Sequence, residues 1–101
     1  MDGQQIYIIG IGDDGLEGMT TQARHLVEAA ELVIGEEAVL PNNLKAETLV
    51  LHGNLDAAVH RMMTDQSGHI VVLASGDPLF YGVARYLFDR VGEDRFLVIP
   101  H

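Results

Sequence analysis

Residues 69–82, with the sequence HIVVLASGDPLFYG, decide the fold of this chain. The first six form a short apolar run bounded by turn residues, which is typical of a strand buried on both faces of a parallel sheet. Asp77 then suits the N-cap of a helix, and Pro78 suits its first position, where the missing N–H costs nothing. The sequence therefore predicts a small-residue turn at the carboxyl end of a buried strand, which is where open α/β sheets bind ligands.

Strand and helix patterns alternate along the whole chain. Strands are predicted at residues 5–10, 31–35, 47–51, 69–74 and 95–100. Helices are predicted over residues 20–30, with a threonine available as the cap, and up to Met63 after Asn54, which can act as a cap. A third helix is predicted after Asp77, and a helical turn over 36–43. Their apolar stripes are Ala23, Leu26, Val27 and Ala30; Leu55, Ala58, Val59, Met62 and Met63; and Phe80, Val83, Ala84, Leu87 and Phe88. This alternation predicts one α/β domain, in which helices cover both faces of a mostly parallel five-stranded sheet.

The composition is that of a compact, soluble domain. The 101 residues carry a formal charge of −9, which argues against nucleic-acid binding because such proteins present a basic surface. No apolar run approaches the ~20 residues of a membrane span, so no membrane association is expected. The absence of cysteine excludes disulfides and thiolate metal sites and fits a cytoplasmic protein.

The first predicted strand runs into a glycine-rich loop, Gly10-x-Gly12-x-x-Gly15. This spacing matches the dinucleotide-binding fingerprint, and Glu36 follows at about the separation expected of a ribose-binding acid. Residues 13 and 14 are both aspartate, however, and would repel a pyrophosphate, whereas a cationic sulfonium suits them. The helix pattern also begins too late, near residue 20, to offer its N-terminus to a phosphate. From the residues alone three interpretations stay open: turn glycines without a ligand, S-adenosylmethionine, and a dinucleotide.

Three segments carry a resemblance to a known family: 8–16 (IIGIGDDGL), 33–35 (VIG) and 73–82 (LASGDPLFYG). They resemble the tetrapyrrole methylases, S-adenosylmethionine-dependent enzymes of the cobalamin and sirohaem pathways, and look most like those that methylate precorrin-6Y at C5 and C15. The resemblance extends over the whole chain but corresponds to the N-terminal half of the family's two-domain unit. It implies that residues 1–101 form the N-terminal α/β domain, that the C-terminal domain is absent from this chain, and that the chain alone is inactive. Many relatives have Pro-Gly in place of Asp13-Asp14, so identical contacts in that loop are not implied.

The resemblance also implies a cofactor site built from two loops, largely through backbone groups. Its S-adenosylmethionine-binding residues would be Gly12, Asp13, Gly76, Asp77, Pro78 and Phe80. Tyr81 and Arg85 share a helix face by their i, i+4 spacing, and Arg85 would meet a substrate carboxylate through bidentate hydrogen bonds. Simpler interpretations exist for both groups: Asp77 as a helix N-cap that needs no ligand, and Arg85 on a solvated helix face.

The implied chemistry is methyl transfer from the sulfonium to C5 of precorrin-6Y, a tetrapyrrole intermediate of cobalamin biosynthesis. The sequence contains no Ser-His-Asp, Cys-His or metal-ligand constellation, so no catalytic side chain and no metal are predicted. Alignment of the reacting atoms would then supply most of the catalysis.

Partners follow from the same resemblance. The family is typically dimeric, so a homodimer is expected, and C15 methylation with decarboxylation would belong to a partner subunit or a fused domain. The alternatives are an NAD-type dinucleotide-binding domain or a non-catalytic α/β binding domain. Six Lys and Arg against fifteen Asp and Glu suit a carboxylate-rich tetrapyrrole poorly, which leaves the substrate open.

Overall fold

The computed structural model describes residues 5–12, 18–41, 44–64, 69–75 and 80–99. The strands are β1 (Ile6–Gly10), β2 (Leu32–Gly35), β3 (Glu47–Val50), β4 (Ile70–Ala74) and β5 (Phe96–Ile99). The helices are α1 (Thr21–Ala29), α2 (Leu55–Thr64) and α3 (Phe80–Val91), with a 3₁₀ turn at Glu93–Arg95. Every strand and helix predicted from the sequence is therefore confirmed, within about two residues at each described end. The predicted cap of α3 at Asp77 and Pro78 lies outside the described residues.

All five strands run parallel in one sheet of order β3-β2-β4-β1-β5. The central strand β4 pairs with β1 on one side and with β2 on the other. Parallel neighbours cannot be joined by a tight turn, so each strand returns through a crossover. This confirms the predicted α/β class, and the carboxyl ends of all the strands consequently meet at one edge of the sheet.

Alternate strand residues supply two hydrophobic cores, one on each face of the sheet. Ile8 and Val72 point to the face covered by α2 and α3, where Met62 and Leu87 are completely buried. Ile9 and Val71 point to the opposite face, where α1 contributes Ala23 and Val27. Helices thus cover both faces, as predicted, and none of those in the described ranges is long and apolar enough to cross a bilayer.

The residues just before α1 and α2 form local side-chain hydrogen bonds with the backbone. The Thr20 hydroxyl accepts a hydrogen bond from the Ala23 N–H at 3.1 Å, which makes Thr20 the N-cap of α1 as the sequence predicts. Asn54 behaves differently from a simple cap. Its side chain accepts from the His52 N–H at 2.8 Å and donates to the Val50 carbonyl at 3.1 Å, so it stabilises the turn between β3 and α2.

The prediction that Met63 belongs to the apolar stripe of α2 is wrong. Met63 is 51% exposed, whereas Met62 is completely buried. Successive helical residues lie about 100° apart, so only one of two adjacent methionines can follow Ala58 onto the core face. The Met63 sulfur instead lies 4.0 Å from the Arg95 guanidinium at the surface.

Tyr86 links the two helices that share a face of the sheet. Its hydroxyl donates a hydrogen bond to the Asp56 carboxylate of α2, and the Arg90 guanidinium lies 4.5 Å from the centre of its ring. The hydrogen bond to Asp56 raises the pKa of Tyr86 above its ordinary value, and Arg90 offsets part of that shift. These contacts link α2 to α3.

Candidate functional site

The ends of β1 and β4 lie side by side at the carboxyl edge of the sheet. Gly10 is in register with Ala74, and the Ile11 N–H donates to the Ala74 carbonyl at 2.8 Å. Gly12 and Ser75 therefore begin two neighbouring loops. The sequence-based prediction of a cleft depended on these two strands being neighbours, and their pairing is confirmed.

The two loops then diverge. From β1 the chain continues to α1 on one face of the sheet, and from β4 it continues to α3 on the other. Adjacent parallel strands whose connections leave to opposite faces open a crevice beyond their carboxyl ends, which is the usual ligand position in open α/β sheets. The crevice defined here, between Gly12 and Ser75, is called the carboxyl-edge cleft below.

Glu36 extends the carboxyl-edge cleft to a third strand. It follows β2, the other neighbour of β4, and its half-buried carboxylate accepts a hydrogen bond from the Ser75 hydroxyl at 3.2 Å. Ser75 has no role predicted from the sequence, and Glu36 is predicted to bind a ligand only in the dinucleotide alternative. The signal that would have found the pair is a polar residue directly after each of two buried strands.

The strand order counts against the dinucleotide alternative. In the dinucleotide-binding fold the ribose-binding acid follows a strand next to the glycine-loop strand. Here β4 separates β2 from β1, which places Glu36 about 10 Å from the first loop at the usual strand spacing. In addition, α1 begins at Thr21 with Thr20 as its cap, so its N-terminus does not follow the third glycine of the motif.

The predicted cofactor residues are placed only in part. Gly12 is half-buried at the mouth of the carboxyl-edge cleft. Phe80 opens the described part of α3, where its side chain packs against the core shared with α2. The remaining four residues lie outside the described residues: Asp13, Gly76, Asp77 and Pro78.

Tyr81 and Arg85 share the outer face of α3, as their spacing predicts. Tyr81 is 81% exposed, and both side chains line a depression of about 470 Å³ that also includes Phe88 and Glu93. Tyr81 is one residue into α3 and hence close to the carboxyl edge, while Arg85 lies one turn further along. The structure brings the two predicted substrate residues together, and their role stays a prediction.

Three other arginines make contacts within the fold. Arg61 binds Glu47, Arg90 stacks on Tyr86, and Arg95 donates to the Met62 carbonyl at 3.4 Å. Within the described ranges there is also no group of three or more His, Cys, Asp and Glu residues that could hold a metal ion.

Comparison with known proteins places the chain in a family. The model of the tetrapyrrole (corrin/porphyrin) methylases matches residues 5–101, and the chain belongs to that family. The strand order and the carboxyl-edge cleft described above are therefore those of a tetrapyrrole methylase family member.

Two curated relatives are methyltransferases named for C5 of a corrin precursor. The chain is 32% identical over 98 residues to precorrin-6Y C(5,15)-methyltransferase (decarboxylating) of Sinorhizobium sp, covering 94% of the chain and 24% of the relative. It is 30% identical over 97 residues to cobalt-precorrin-7 C(5)-methyltransferase of Salmonella typhimurium, covering 94% of the chain and 48% of the relative. The chain thus spans about a quarter and about half of the lengths of these two proteins.

Solved structures show the same fold. Uroporphyrin-III-C-methyltransferase from Thermus thermophilus superposes with a TM-score of 0.69 at 28% identity, over 96% of this chain and 47% of that one. Cobalt precorrin-4 methyltransferase, a cobalamin biosynthetic enzyme, gives a TM-score of 0.68 at 21% identity over 95% and 45%. The second likeness concerns the fold alone.

Proposed function

We propose that this chain carries the S-adenosylmethionine-binding part of a tetrapyrrole C-methyltransferase. One observation carries the proposal. The pairing of β1 with β4 brings Gly12 next to Ser75, the residues from which the Gly12-Asp13 and Gly76-Asp77-Pro78 sequences continue. Membership of the tetrapyrrole methylase family supports the same assignment.

Charge supports a cationic ligand in the carboxyl-edge cleft. The chain has a formal charge of −9, the first loop carries Asp13 and Asp14, and Glu36 lies at the far side of the cleft. A pyrophosphate would be repelled by this arrangement, whereas a sulfonium cation would be attracted. Backbone groups at Gly12 and Gly76 can approach such a ligand closely because no Cβ intervenes.

The proposed reaction is methyl transfer to C5 of precorrin-6Y, or of cobalt-precorrin-7, in keeping with the activities for which the two relatives are named. An electron pair on the ring carbon forms the new C–C bond as the S–CH₃ bond breaks. Sulfur leaves as a neutral thioether, and the ring later loses a proton. The protein's part would be to align the reacting atoms and exclude water, which requires no covalent intermediate.

The substrate would approach along the outer face of α3. Arg85 offers a planar pair of N–H donors that matches a carboxylate of the tetrapyrrole, and Tyr81 offers an exposed ring and hydroxyl beside it. This face begins at the carboxyl edge, so a substrate held there would lie near the proposed cofactor.

Calorimetric titration of the chain with S-adenosylhomocysteine, with NAD as the control ligand, tests the cofactor assignment. We expect saturable binding of S-adenosylhomocysteine and none of NAD. The Gly76→Val variant should abolish that binding while the fold remains intact, because a branched side chain would occupy the closest approach of the backbone to the ligand.

The matched control is Gly82→Ala. A Cβ at Gly82 would meet nothing within 4 Å, so this variant should bind S-adenosylhomocysteine like the unmodified chain. Binding of NAD alone, or unchanged affinity in Gly76→Val, would contradict the assignment.

A further inference from the structure

Glu36 is a half-buried carboxylate at the carboxyl edge of the sheet, next to the end of the central strand. Within the described residues its carboxylate has one hydrogen-bond partner, the Ser75 hydroxyl, and forms no ion pair. Glu47, by contrast, accepts two hydrogen bonds from the Arg61 guanidinium, at 2.7 and 2.9 Å. A half-buried carboxylate that no cation balances exerts its full field on whatever occupies the space beside it.

The position of this carboxylate is fixed from two sides. The Glu36 main-chain carbonyl accepts hydrogen bonds from the Val39 and Leu40 N–H groups at 3.0 and 3.2 Å, which closes a helical turn directly after β2. The Ser75 hydroxyl holds the side chain from the neighbouring strand. Space behind the turn is tight, since a Cβ on Gly35 would lie 3.2 Å from a Val39 methyl group. Glu36 is therefore held at the carboxyl edge.

A ligand in the carboxyl-edge cleft would lie within reach of this charge. Gly12 and Glu36 flank the end of β4 on opposite sides, about 10 Å apart at the usual strand spacing. A molecule the size of a nucleoside with an amino-acid tail is long enough to span that gap. One that contacts Gly12 and crosses the end of β4 therefore approaches the Glu36 carboxylate.

We propose that Glu36, positioned by Ser75, makes the carboxyl-edge cleft select the positively charged methyl donor over its neutral thioether product. This inference rests on the proposed function. S-adenosylmethionine and S-adenosylhomocysteine share the adenosine and the amino-acid tail, and they differ by one methyl group and one positive charge on sulfur. A fixed carboxylate attracts the sulfonium of the first, whereas the neutral thioether sulfur of the second offers no charge for it to attract. Glu36 would thus favour entry of the donor and exit of the product.

The experiment compares the two ligands rather than one. S-adenosylmethionine and S-adenosylhomocysteine are titrated separately into the unmodified chain and into Glu36→Gln, which removes the charge and keeps the shape. We expect the variant to lose about tenfold in affinity for S-adenosylmethionine, the order of effect of one charge pair near a protein surface. Its affinity for S-adenosylhomocysteine should be unchanged.

Glu31→Gln is the matched control. Glu31 is exposed at the other end of β2, about 16 Å away along the strand, and its removal changes the net charge of the chain by the same amount. At an ionic strength of about 0.1 M this distance exceeds the screening length, so Glu31→Gln should leave both affinities unchanged. Circular dichroism melts of each variant verify that the chain remains folded.

Two further variants separate the charge from its position. Glu36→Asp keeps the charge and should retain a preference for S-adenosylmethionine. Ser75→Ala keeps the charge of Glu36 but removes the hydrogen bond to its carboxylate. It should reduce the preference for S-adenosylmethionine by less than Glu36→Gln does. Added salt should lower the preference of the unmodified chain more than that of Glu36→Gln.

The outcomes distinguish this inference from the proposed function. If the unmodified chain binds both ligands equally, or if Glu36→Gln weakens both by the same factor, the cofactor site stands and the selective role of Glu36 is wrong. Equal weakening would place Glu36 against a part that both ligands share. If the unmodified chain binds neither ligand, the proposed cofactor site is contradicted and the inference is overturned with it.

Discussion

The two edges of the sheet differ in how their charged groups are matched. At the amino edge, Glu47 binds Arg61, the Arg95 guanidinium donates to the carbonyl of Met62, and the Gln5 side chain donates to the Arg95 carbonyl at 3.3 Å. These polar groups contact one another within the chain. At the carboxyl edge, Glu36 has a hydroxyl as its described partner and no cation.

This difference separates the part of the molecule that holds the fold from the part that is open to a ligand. The two hydrophobic cores and the amino edge complete their contacts within the chain. At the carboxyl edge, the Glu36 carboxylate lies beside the end of β4. The connections that follow β1 and β4 leave to opposite faces of the sheet. Changes in the first part should therefore alter stability with little effect on binding, and changes in the second should do the reverse.

The largest effect should come from the core. Leu87 is completely buried between α3 and the sheet, and Leu87→Ala should lower the free energy of unfolding by about 3 kcal/mol through lost burial and a cavity. Urea denaturation measures this. Val98→Ala, at a side chain that is 56% exposed, is the control and should change stability by less than about 0.5 kcal/mol. Equal effects of the two changes would contradict the assigned packing.

A smaller effect, on binding alone, is expected at the outer face of α3. Arg85→Ala should weaken binding of a carboxylated porphyrin about tenfold, because it removes a charge-assisted pair of hydrogen bonds. Absorbance titration in the Soret band measures it. Arg90→Ala is the control, since Arg90 lies over the Tyr86 ring further along the helix. Unchanged affinity in Arg85→Ala would remove this face from the substrate site.

Gly82→Ala tests whether the helix next to the carboxyl-edge cleft is free of backbone strain. Gly82 lies inside α3, and a Cβ there would meet nothing within 4 Å. Replacing it with alanine should raise the free energy of unfolding by about 0.5–1 kcal/mol through helix propensity. A thermal melt measures the change, and a loss of stability would show that the glycine is required by packing.

The ion pair at the amino edge should matter least at neutral pH. Glu47→Gln should cost less than about 1 kcal/mol, because the Glu47 and Arg61 side chains are 58% and 32% exposed and water screens their attraction. The variant should bind S-adenosylhomocysteine with unchanged affinity, measured by calorimetry. A loss of binding would break the distinction between the two edges.

Ionisation of Tyr86 at alkaline pH should reveal the contact between α2 and α3. The hydrogen bond to Asp56 raises the pKa of Tyr86 above 10.0 in the fold. Its stabilising contribution is therefore fully present below the unfolded pKa and is lost as pH rises through the raised pKa. Tyrosinate absorbance, corrected with Tyr86→Phe, should show the titration, and Asp56→Asn should move it to lower pH. Titration unaffected by Asp56→Asn would contradict the contact.

Local elements could be predicted from the sequence because local forces decide them. A short apolar, β-branched run over residues 69–74 predicts β4, and the threonine before the first apolar stripe predicts the cap that Thr20 forms. The prediction that Met63 faces the core was wrong, because only one of two adjacent methionines can do so and the sequence pattern does not show which one. Tyr86 was missed as a core neighbour since its partner, Asp56, is thirty residues away in sequence.

The candidate site could be predicted only up to strand order. Periodicity predicts that Gly12 and Ser75 follow strands, but tertiary packing decides which strands are neighbours. The same limit concealed the pairing of Glu36 with Ser75, because the two residues are 39 positions apart and meet only after β2 and β4 pair. The strand order also decided against the dinucleotide arrangement, which the glycine spacing alone had left open.

The central claim is that the ligand site lies at the carboxyl edge, and amide chemical-shift mapping with S-adenosylhomocysteine tests it most directly. The account predicts saturable shifts concentrated at Gly12, Glu36, Ser75 and Phe80, with the amides of Glu47, Arg61 and Arg95 unmoved. Shifts centred on the amino edge, or none at saturating ligand, would contradict it.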